Sequence, residues 1–590
     1  MAQVIRVPEI RIEDSANVNI VSGMASIKLP VIAIGSGTDG LSLDLSGDFY
    51  GNQWFDIGKD SNAAIVAKTH QGWCKDAVGV WGCWQYTVYL GAGGIRFDQL
   101  NSGSIRPTMG GGEQLRVIGS AAYEFIDAEG NRYLTGSSPG WPDVTPGISC
   151  PDNKQAGAHC MAFVRRESPD GVVITYHFEG PSLALKGVTH SAGWALRYAL
   201  RGDGKVGSVA ALNLAFDSCT AGLQTCTTAA ARPTASFNKL STDLFSIQKP
   251  TGEVYSYGKV ELKDQHGFHS GLLSVRDANI PTGSSATTFS YVYGDMISCT
   301  LYSSYIDCGQ VRDRLISSAS SGQSSWSYSY QNVYVGTGPG NADSPAYHNW
   351  VATATQPDGK VITVNYNSAL SWVQSIRNGT EYATYDSEFG RMLTYSGVNG
   401  SFSFEYDSRG NLVRRHQTAV GGGTLTTEMG YDASCVHPAK CNKPNWVRDA
   451  MGHQTDYTYD PVHGGVLTET SPPDANGVRA QKRYTYVQRR AWLRNSSSGF
   501  SPSAPIWKLN SLSVCRSGPA SPSGVGCALG TADEVLTTYE YGPDAGPNNL
   551  LLRGQVVLAD GISRRTCFGY DALGNKTSET TPNAGLATCQ

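Results

Sequence analysis

The 14 cysteines are the residues of this sequence whose type and spacing most directly suggest chemistry. They fall into seven successive local pairs, and six of the seven intervals are 12 residues or fewer. An even number of cysteines in short Gly-, Pro- and Ser-rich stretches predicts small disulfide-closed loops formed in an oxidising compartment, with unpaired buried thiols as the alternative. The candidate disulfides are Cys74/Cys83, Cys150/Cys160, Cys219/Cys226, Cys299/Cys308, Cys435/Cys441, Cys515/Cys527 and Cys567/Cys589.

Two other patterns suggest a bound group. His437 lies between Cys435 and Cys441, but zinc sites use paired Cys-x-x-Cys spacing and a second ligand cluster, which are missing here. Residues 35–40 fit the Gly-x-Gly-x-x-Gly pattern of dinucleotide sites. The residues that follow alternate as a strand and supply no helix N-terminus for a pyrophosphate, so we interpret this segment as a turn between strands. We expect neither a metal nor a cofactor.

Catalytic signatures are also missing from the sequence. It contains no P-loop, kinase, metalloprotease or Gly-x-Ser-x-Gly pattern. Asp-x-x-Gly segments at 127–131 and 474–477 resemble calcium loops but lack the closing acidic ligands, which favours structural turns. We expect a protein that is not an enzyme; a glycosidase with two carboxylates on a β scaffold is the alternative.

The composition favours an all-β protein. Charged residues make up 16% of the 590 residues, below the roughly 25% of an average domain, while 68 Gly, 27 Pro and 30 Tyr supply turns and strands. The net charge of −4, without a run of like charges, excludes a footprint for nucleic acid or anionic lipid. No apolar run is long enough for a membrane span, and the first 15 residues lack a secretory signal. Together with the cysteine pairs, this predicts an exported protein, extracellular or in the cell envelope, whose signal peptide is not in this chain.

Aromatic and polar residues alternate in many segments, which is the period of a half-buried strand. In residues 401–407, Phe402, Phe404 and Tyr406 share one face, and Ser401, Ser403 and Glu405 share the other. Residues 191–201 fit a short helix or a strand equally well. We predict little helix overall.

From about residue 355 a Tyr-Asp pair recurs ahead of a Gly turn. The tyrosines at 366, 385, 406, 431, 459 and 486 are separated by 19, 21, 25, 28 and 27 residues, a period typical of stacked repeats. In each unit the Tyr ring is expected on the buried face, the Asp accepts backbone N–H groups, and the Gly takes a positive φ. The repeat residues are Tyr385, Asp386, Gly390, Tyr406, Asp407, Gly410, Asn411, Tyr459, Asp460, Tyr570, Asp571, Gly574 and Asn575.

These repeats resemble the Rhs/YD-repeat family, whose unit reads approximately Tyr-Asp-x-x-Gly-Arg/Asn-Leu followed by a strand. YDSRGNLV at 406–413 and YDALGNKT at 570–577 match closely, while residues 385–393 carry one extra residue before the Gly. Residues 14–50 and 113–134 are similar to the opening region of Rhs proteins. The resemblance implies a spiral sheet shell divided into an N-terminal β region (1–140), an irregular β region (141–354) and a YD-repeat array (355–590).

The same resemblance implies a function. Rhs proteins of bacteria carry a variable C-terminal toxin, released by an aspartyl self-cleavage segment that this sequence does not contain. We therefore expect a non-catalytic shell of a polymorphic toxin that encapsulates or presents a C-terminal toxin or effector domain outside this chain. The alternative is a secreted surface protein, similar to the YD shells of teneurins, that binds a cell-surface glycan or protein.

Overall fold

The computed structural model describes residues 14–21, 24–35, 40–48, 65–75, 80–90, 93–99, 104–107, 112–118, 122–135, 159–179, 184–228, 231–242, 244–264, 267–276, 289–293, 300–301, 306–307, 316–321, 323–334, 348–367, 372–386, 390–495 and 499–589. Almost all regular structure in these ranges is antiparallel β-strand, and the described helical elements are two 3-10 turns, Ala221–Leu223 and Pro582–Ala584. The predicted all-β class with little helix is confirmed.

The first region of the chain contains strands β1 (Val18–Asn19), β2 (Met24–Ile34), β3 (Leu41–Asp48), β4 (Ile65–Lys75), β5 (Val80–Leu90), β6 (Gly93–Gln99), β7 (Ile105–Pro107), β8 (Gln114–Val117), β9 (Tyr123–Ile126) and β10 (Arg132–Thr135). The middle region contains β11 (His159–Glu167), β12 (Val173–Glu179), β13 (Ala184–His190), β14 (Trp194–Leu200), β15 (Val206–Asn213), β16 (Ser218–Cys219), β17 (Cys226–Thr227), β18 (Thr234–Lys239), β19 (Leu244–Gln248), β20 (Val254–Asp264), β21 (Gly267–Arg276), β22 (Phe289–Tyr293), β23 (Thr300–Leu301), β24 (Ile306–Asp307), β25 (Ile316–Ser321), β26 (Ser324–Tyr334) and β27 (His348–Thr355).

The last region contains β28 (Val361–Asn367), β29 (Trp372–Asn378), β30 (Glu381–Tyr385), β31 (Met392–Gly397), β32 (Gly400–Tyr406), β33 (Leu412–Thr418), β34 (Thr424–Gly430), β35 (Trp446–Arg448), β36 (Gln454–Tyr459), β37 (Val466–Thr470), β38 (Gln481–Arg494), β39 (Phe500–Cys515), β40 (Glu534–Tyr541), β41 (Leu552–Ala559), β42 (Ile562–Tyr570) and β43 (Lys576–Glu579).

A single meander runs from β8 to β43, in which each main strand pairs antiparallel with the strands before and after it. The hairpins β16–β17 and β23–β24 are small separate sheets inside two of the connections. Strand β11 joins a second sheet to the meander, because its first residues pair with β4 and its last residues pair with β10 and β12. Strands β5 to β11 contribute to their own aromatic cluster, which includes Tyr86, Phe97, Phe125 and Phe163.

The alternation seen in the sequence decides which face of the meander is buried. In β32 the Phe404 side chain is buried and Glu405 is exposed. Across the meander the apolar faces converge in one cluster that also contains residues of β1 to β3. The N-terminal segment is fixed to this face by hydrogen bonds, since Tyr328 donates to Asp14 (2.5 Å) and Tyr291 donates to the Ala16 carbonyl (3.0 Å).

The sheet coils back onto its own beginning. We call residues 112–228 the first coil, residues 430–575 the second coil, and the contacts between their turns the seam. Hydrogen bonds across the seam join residues that are 278 to 359 positions apart. Ala128 bonds to Asn442 near one end of the seam, and Asn213 bonds to Asn548 near the other end. A sheet whose later turns lie against its earlier turns is a spiral sheet.

Candidate functional site

The Tyr-Asp turns share one hydrogen-bond pattern. In the turn after β32, Asp407 Oδ1 accepts the backbone N–H groups of Arg409 (2.9 Å) and Asn411 (2.8 Å), and Oδ2 accepts the Asn411 side chain (2.9 Å). Gly410 has φ +82° and closes the turn by donating to the Asp407 carbonyl. A carboxylate that accepts three N–H groups fixes the reversal of the chain.

The same pattern occurs in the last repeat and outside the repeat array. Asp571 accepts the N–H of Leu573 (2.8 Å), the N–H of Asn575 (2.8 Å) and the Asn575 side chain (2.9 Å). Asp127 holds the turn of the first coil with Glu129 and Asn131 in the corresponding places. The carboxylates of these Asp-x-x-Gly segments are therefore engaged by N–H donors.

Two units depart from the pattern because they contain one extra residue. Asp386 accepts the N–H of Arg391 (2.9 Å), and Gly390 closes that turn with φ +65°. Asp460 accepts the N–H groups of Val462 (2.8 Å) and His463 (3.1 Å) instead. The carboxylate still caps the turn, so the pattern tolerates a longer loop.

Six of the periodic tyrosines bond to the preceding unit. The hydroxyl of Tyr406 donates to the Met392 carbonyl (2.8 Å), at the start of the strand that follows the previous turn. The equivalent bonds are Tyr431 to Leu412, Tyr459 to Pro444, Tyr486 to Val466, Tyr541 to Leu509 and Tyr570 to Leu552, at 2.7 to 3.1 Å. Burial raises the pKa of Tyr406 and of Tyr431 to about 12, so these hydroxyls keep their protons and act as donors. The tyrosines therefore connect consecutive units.

A basic side chain lies against several of these rings. The guanidinium of Arg391 lies 5.4 Å from the centre of the Tyr406 ring, and Arg489 and Arg553 lie 5.6 Å from the Tyr541 and Tyr570 rings. A Cβ at Gly410 would collide with the guanidinium of Arg391. Gly410 thus adopts the positive φ that its turn requires, and its missing side chain leaves room for Arg391 of the preceding unit.

The seam joins the Tyr-Asp edge of the second coil to the turns of the first coil. Consecutive hairpin turns alternate between the two edges of a meander, so a unit of two strands returns every Tyr-Asp turn to the same edge. Asn213 is buried at this edge and donates to Asn548 Oδ1 (2.6 Å) and to the Ala572 carbonyl (2.7 Å). The backbone contributes as well, since Trp507 donates to the Asp170 carbonyl (2.7 Å).

Apolar contacts accompany these polar ones. Val172 of the first coil packs with Ala491, Ile506 and Leu550 of the second coil. Beside this cluster, Leu493 packs against the first coil's buried Leu223 and its neighbours. The seam therefore has a desolvated centre, as a stable interface requires.

Four of the predicted cysteine pairs are disulfides in the structure: Cys219–Cys226, Cys435–Cys441, Cys515–Cys527 and Cys567–Cys589. The other three candidate pairs cannot be placed, because Cys150, Cys299 and Cys308 and the side chains of Cys74, Cys83 and Cys160 lie outside the described residues. Cys515 and Cys527 also approach Asp533, but their sulfurs are bonded to each other and are not free thiolate ligands.

A cavity of about 440 Å³ opens at the seam. It combines the cations Arg166 and Lys443 with the carboxylate of Asp170 and two buried histidines. Burial lowers the pKa of Lys443, whose ammonium donates to the Gly464 carbonyl (2.5 Å). The complete lining is Gly40, Glu129, Asn131, Arg166, Ser168, Pro169, Asp170, Val172, Ile174, His190, Lys443 and His463.

Two further expectations concern segments outside the repeats. The Gly-x-Gly-x-x-Gly segment connects β2 to β3, where Ile34 pairs with Leu41 in an antiparallel hairpin, although residues 36–39 lie outside the described residues. Residues 194–200 form strand β14, which pairs on both sides. Within the described ranges, no helix is long and apolar enough to cross a membrane.

The fold and the turns define a class of all-β repeat protein in which Tyr-Asp hairpins build a coiled antiparallel sheet. No protein-family model matches the sequence, and the curated proteins contain no match either. Among solved structures, a Photorhabdus luminescens Tc holotoxin pore with a mutated TccC3 aligns at TM-score 0.27 and 13% identity, covering 85% of this chain and 28% of that chain. TcdB2-TccC3-TEV aligns at TM-score 0.27 and 13% identity, covering 86% and 30%. The chain spans less than a third of the length of these neighbours, and at these scores they carry no argument about function.

Proposed function

We propose that this chain is part of the wall of an exported, non-catalytic spiral shell of the Rhs/YD-repeat type, and that the shell encapsulates or presents a C-terminal toxin or effector domain. The observation that carries the proposal is the seam, because a sheet that returns onto its own first strands is a wall around an axis. The close repeat motifs at 406–413 and 570–577 support the Rhs resemblance. Four disulfides suit an oxidising compartment.

The aromatic face of strands β31 and β32 is the surface on which such a shell would hold a passenger. Tyr395 and Phe402 lie on this face and are only partly buried, whereas Trp350 and Tyr366, earlier in the meander, are fully buried. Half-buried rings offer a large apolar contact area at low cost in conformational entropy. A partly unfolded effector domain matches that chemistry.

Protease protection in the complete gene product tests the proposal. The C-terminal segment should resist a protease while the shell is intact, and it should become sensitive when the seam is weakened by Asn213→Ala. Asn365→Ala, which removes a bond between neighbouring strands from Asn365 to Ser375 Oγ (3.0 Å), is the matched control. A C-terminal segment that is cleaved equally in wild type and variant would contradict encapsulation.

A second candidate function is binding of a surface glycan or protein, and the seam cavity is the observation that favours it. Its carboxylates, cations and amide offer the mixed donors and acceptors that polar ligands need. Glycan-array binding by the purified chain, reduced by Arg166→Gln, would support this function. If the array gives no signal and the effector segment is protected from the protease, the results would favour encapsulation over ligand binding.

A further inference from the structure

Two of the four disulfides among the described residues close loops at the seam, one from each coil. In the first coil, Cys219 in β16 and Cys226 in β17 close a loop and pack against the buried cluster around Leu223, against which Leu493 of the second coil also packs. Directly beside it, the N–H of Arg494 donates to the Leu214 carbonyl (2.7 Å). This loop therefore supports the centre of the seam.

In the second coil, the Cys435–Cys441 loop supports one end of the seam. It belongs to the connection of residues 431–445, which contains no strand. The Gln114 side chain donates to the sulfur of Cys435 (3.7 Å), and Asn442 donates to the Ala128 carbonyl (2.9 Å). A Cβ at Gly130 would lie 2.9 Å from the carbonyl oxygen of Pro438, so the first-coil turn packs directly on this loop.

The remaining two disulfides are placed differently. Cys515–Cys527 closes the connection between β39 and β40, at the edge of the sheet opposite the seam. Cys567–Cys589 fastens the last residues to β42, where Cys589 lies beside the Thr566 carbonyl (3.9 Å). These two pairs therefore serve as internal references for the two at the seam.

We propose that the seam is a reducible latch, in which Cys219–Cys226 and Cys435–Cys441 hold the two coils together and a thiol reductant releases them while the hairpins stay folded. The strand ladders do not depend on these disulfides, because neighbouring strands are joined by their own backbone hydrogen bonds. We expect the two seam loops to depend on them, because residues 431–445 contain no strand and the Cys219–Cys226 loop has only a hairpin of two residue pairs. The inference goes beyond the proposed shell, since it applies to any role of the coiled sheet.

The chemistry is thiol–disulfide exchange. A low-molecular-weight thiol, as its thiolate, attacks Sγ of Cys435, which is partly exposed while Cys441 is buried. The S–S bond breaks, Cys441 leaves as a thiolate and takes up a proton, and a mixed disulfide remains on Cys435. A second thiol resolves it, so two cysteine thiols and one oxidised reductant are formed and two electrons are transferred. Both cysteines of the other seam pair are partly exposed and follow the same course.

The expected effect follows from loop entropy. Opening a closed loop of about seven residues raises the disordered fraction of that loop by ~50-fold in the chain-entropy model. The contacts made by the loop become weaker by the same factor. We expect hydrogen exchange at the seam to accelerate by at least about tenfold, and exchange within β32 and β33 to stay unchanged.

The experiment compares the oxidised full-length chain with paired serine variants by hydrogen-exchange mass spectrometry. Replacing Cys435 and Cys441 should accelerate exchange around Ala128, and replacing Cys219 and Cys226 should accelerate it around Leu214. The matched control replaces Cys515 and Cys527, which should leave both seam segments protected.

Dithiothreitol added to the folded wild-type protein provides a second measurement that does not require any variant to fold. It should reproduce the seam-specific exchange of the two seam variants. The latch is overturned if the seam segments stay protected after reduction. It is also overturned if the control variant opens the seam equally, or if β32 and β33 exchange together with the seam.

Discussion

Replacing Asn213 with Ala tests the spiral seam most directly. The substitution removes the hydrogen bonds from Asn213 Nδ2 to Asn548 Oδ1 (2.6 Å) and to the Ala572 carbonyl (2.7 Å), and it removes the acceptor of the Ala215 N–H (3.0 Å). The Ala215 N–H is buried and would stay unsatisfied, at a cost of about 1–3 kcal/mol. The two bonds across the seam are partly exposed and contribute about 0.5–1.5 kcal/mol each. We expect a total loss of about 2–6 kcal/mol.

The assay combines urea unfolding with hydrogen exchange, because a coiled repeat protein need not unfold as one cooperative unit. Asn213→Ala should lower the unfolding midpoint and accelerate exchange in residues 546–552 and 571–575. Asn365→Ala removes one bond within the meander and should cost only about 0.5–1.5 kcal/mol, without an effect on those segments. A loss for Asn213→Ala no larger than for this control, or continued protection of both segments, would refute the seam.

Three further predictions concern a link between units, a Tyr-Asp turn, and the turn of residues 449–453 between β35 and β36. Tyr406→Phe removes the hydroxyl that donates to the Met392 carbonyl and should lower the free energy of unfolding by about 0.5–1.5 kcal/mol in urea titrations, whereas an unchanged midpoint would deny the link between units. Gly410→Ala places a side chain at φ +82° and displaces the guanidinium of Arg391, so we expect a loss of about 1 kcal/mol or more in the same assay; a neutral result would contradict the strain assigned to the positive φ. The backbone N–H of His453 is the largest cause that lowers the pKa of Asp449, so this turn's stabilisation is complete above pH 3.8 and is lost as the pH falls through the lowered value. The melting temperature should fall less between about pH 5 and the acid side of that window in Asp449→Asn than in the wild type. An equal fall in both proteins would show that this carboxylate does not stabilise the turn.

The turns could be predicted from the sequence because their physics is local. The Asp, Gly and Asn of residues 407–411 lie within five positions of one another, and their hydrogen bonds connect only those positions. The side-chain alternation of β32 is equally local, since a period of two fixes which residues share a face. The sequence of residues 194–200 fits a helix and a strand equally well. The segment is a strand because it pairs with a neighbouring strand on each side.

The seam could not be predicted, because it joins residues about 300 positions apart. Asn213 lies in the sequence ALNLAF and looks like an ordinary strand residue, with no sign that its amide bonds to Asn548. Cys219 and Cys435 were recognised as members of local pairs, which predicts loop closure but not what the closed loop contacts. A local pattern can therefore identify the parts of a coiled sheet, whereas the pitch of the coil depends on contacts that only the folded chain brings together.

In the proposed shell, the N-terminal segment would limit where a passenger domain lies. Asp14 is buried, and its carboxylate accepts the Tyr328 hydroxyl (2.5 Å) and the N–H groups of Ala16 (2.9 Å) and Val18 (3.0 Å). Burial raises the pKa of Asp14, because a buried carboxylate loses its hydration, and these hydrogen bonds act in the opposite direction. The bonds form only when the segment occupies this one position on the sheet. Residues of β1 to β3 thus occupy the apolar face of the strands around Tyr328, and no passenger can share that surface. In the proposed shell, the partly exposed aromatic face of β31 and β32 remains available, and contacts between shell and passenger should therefore concentrate there.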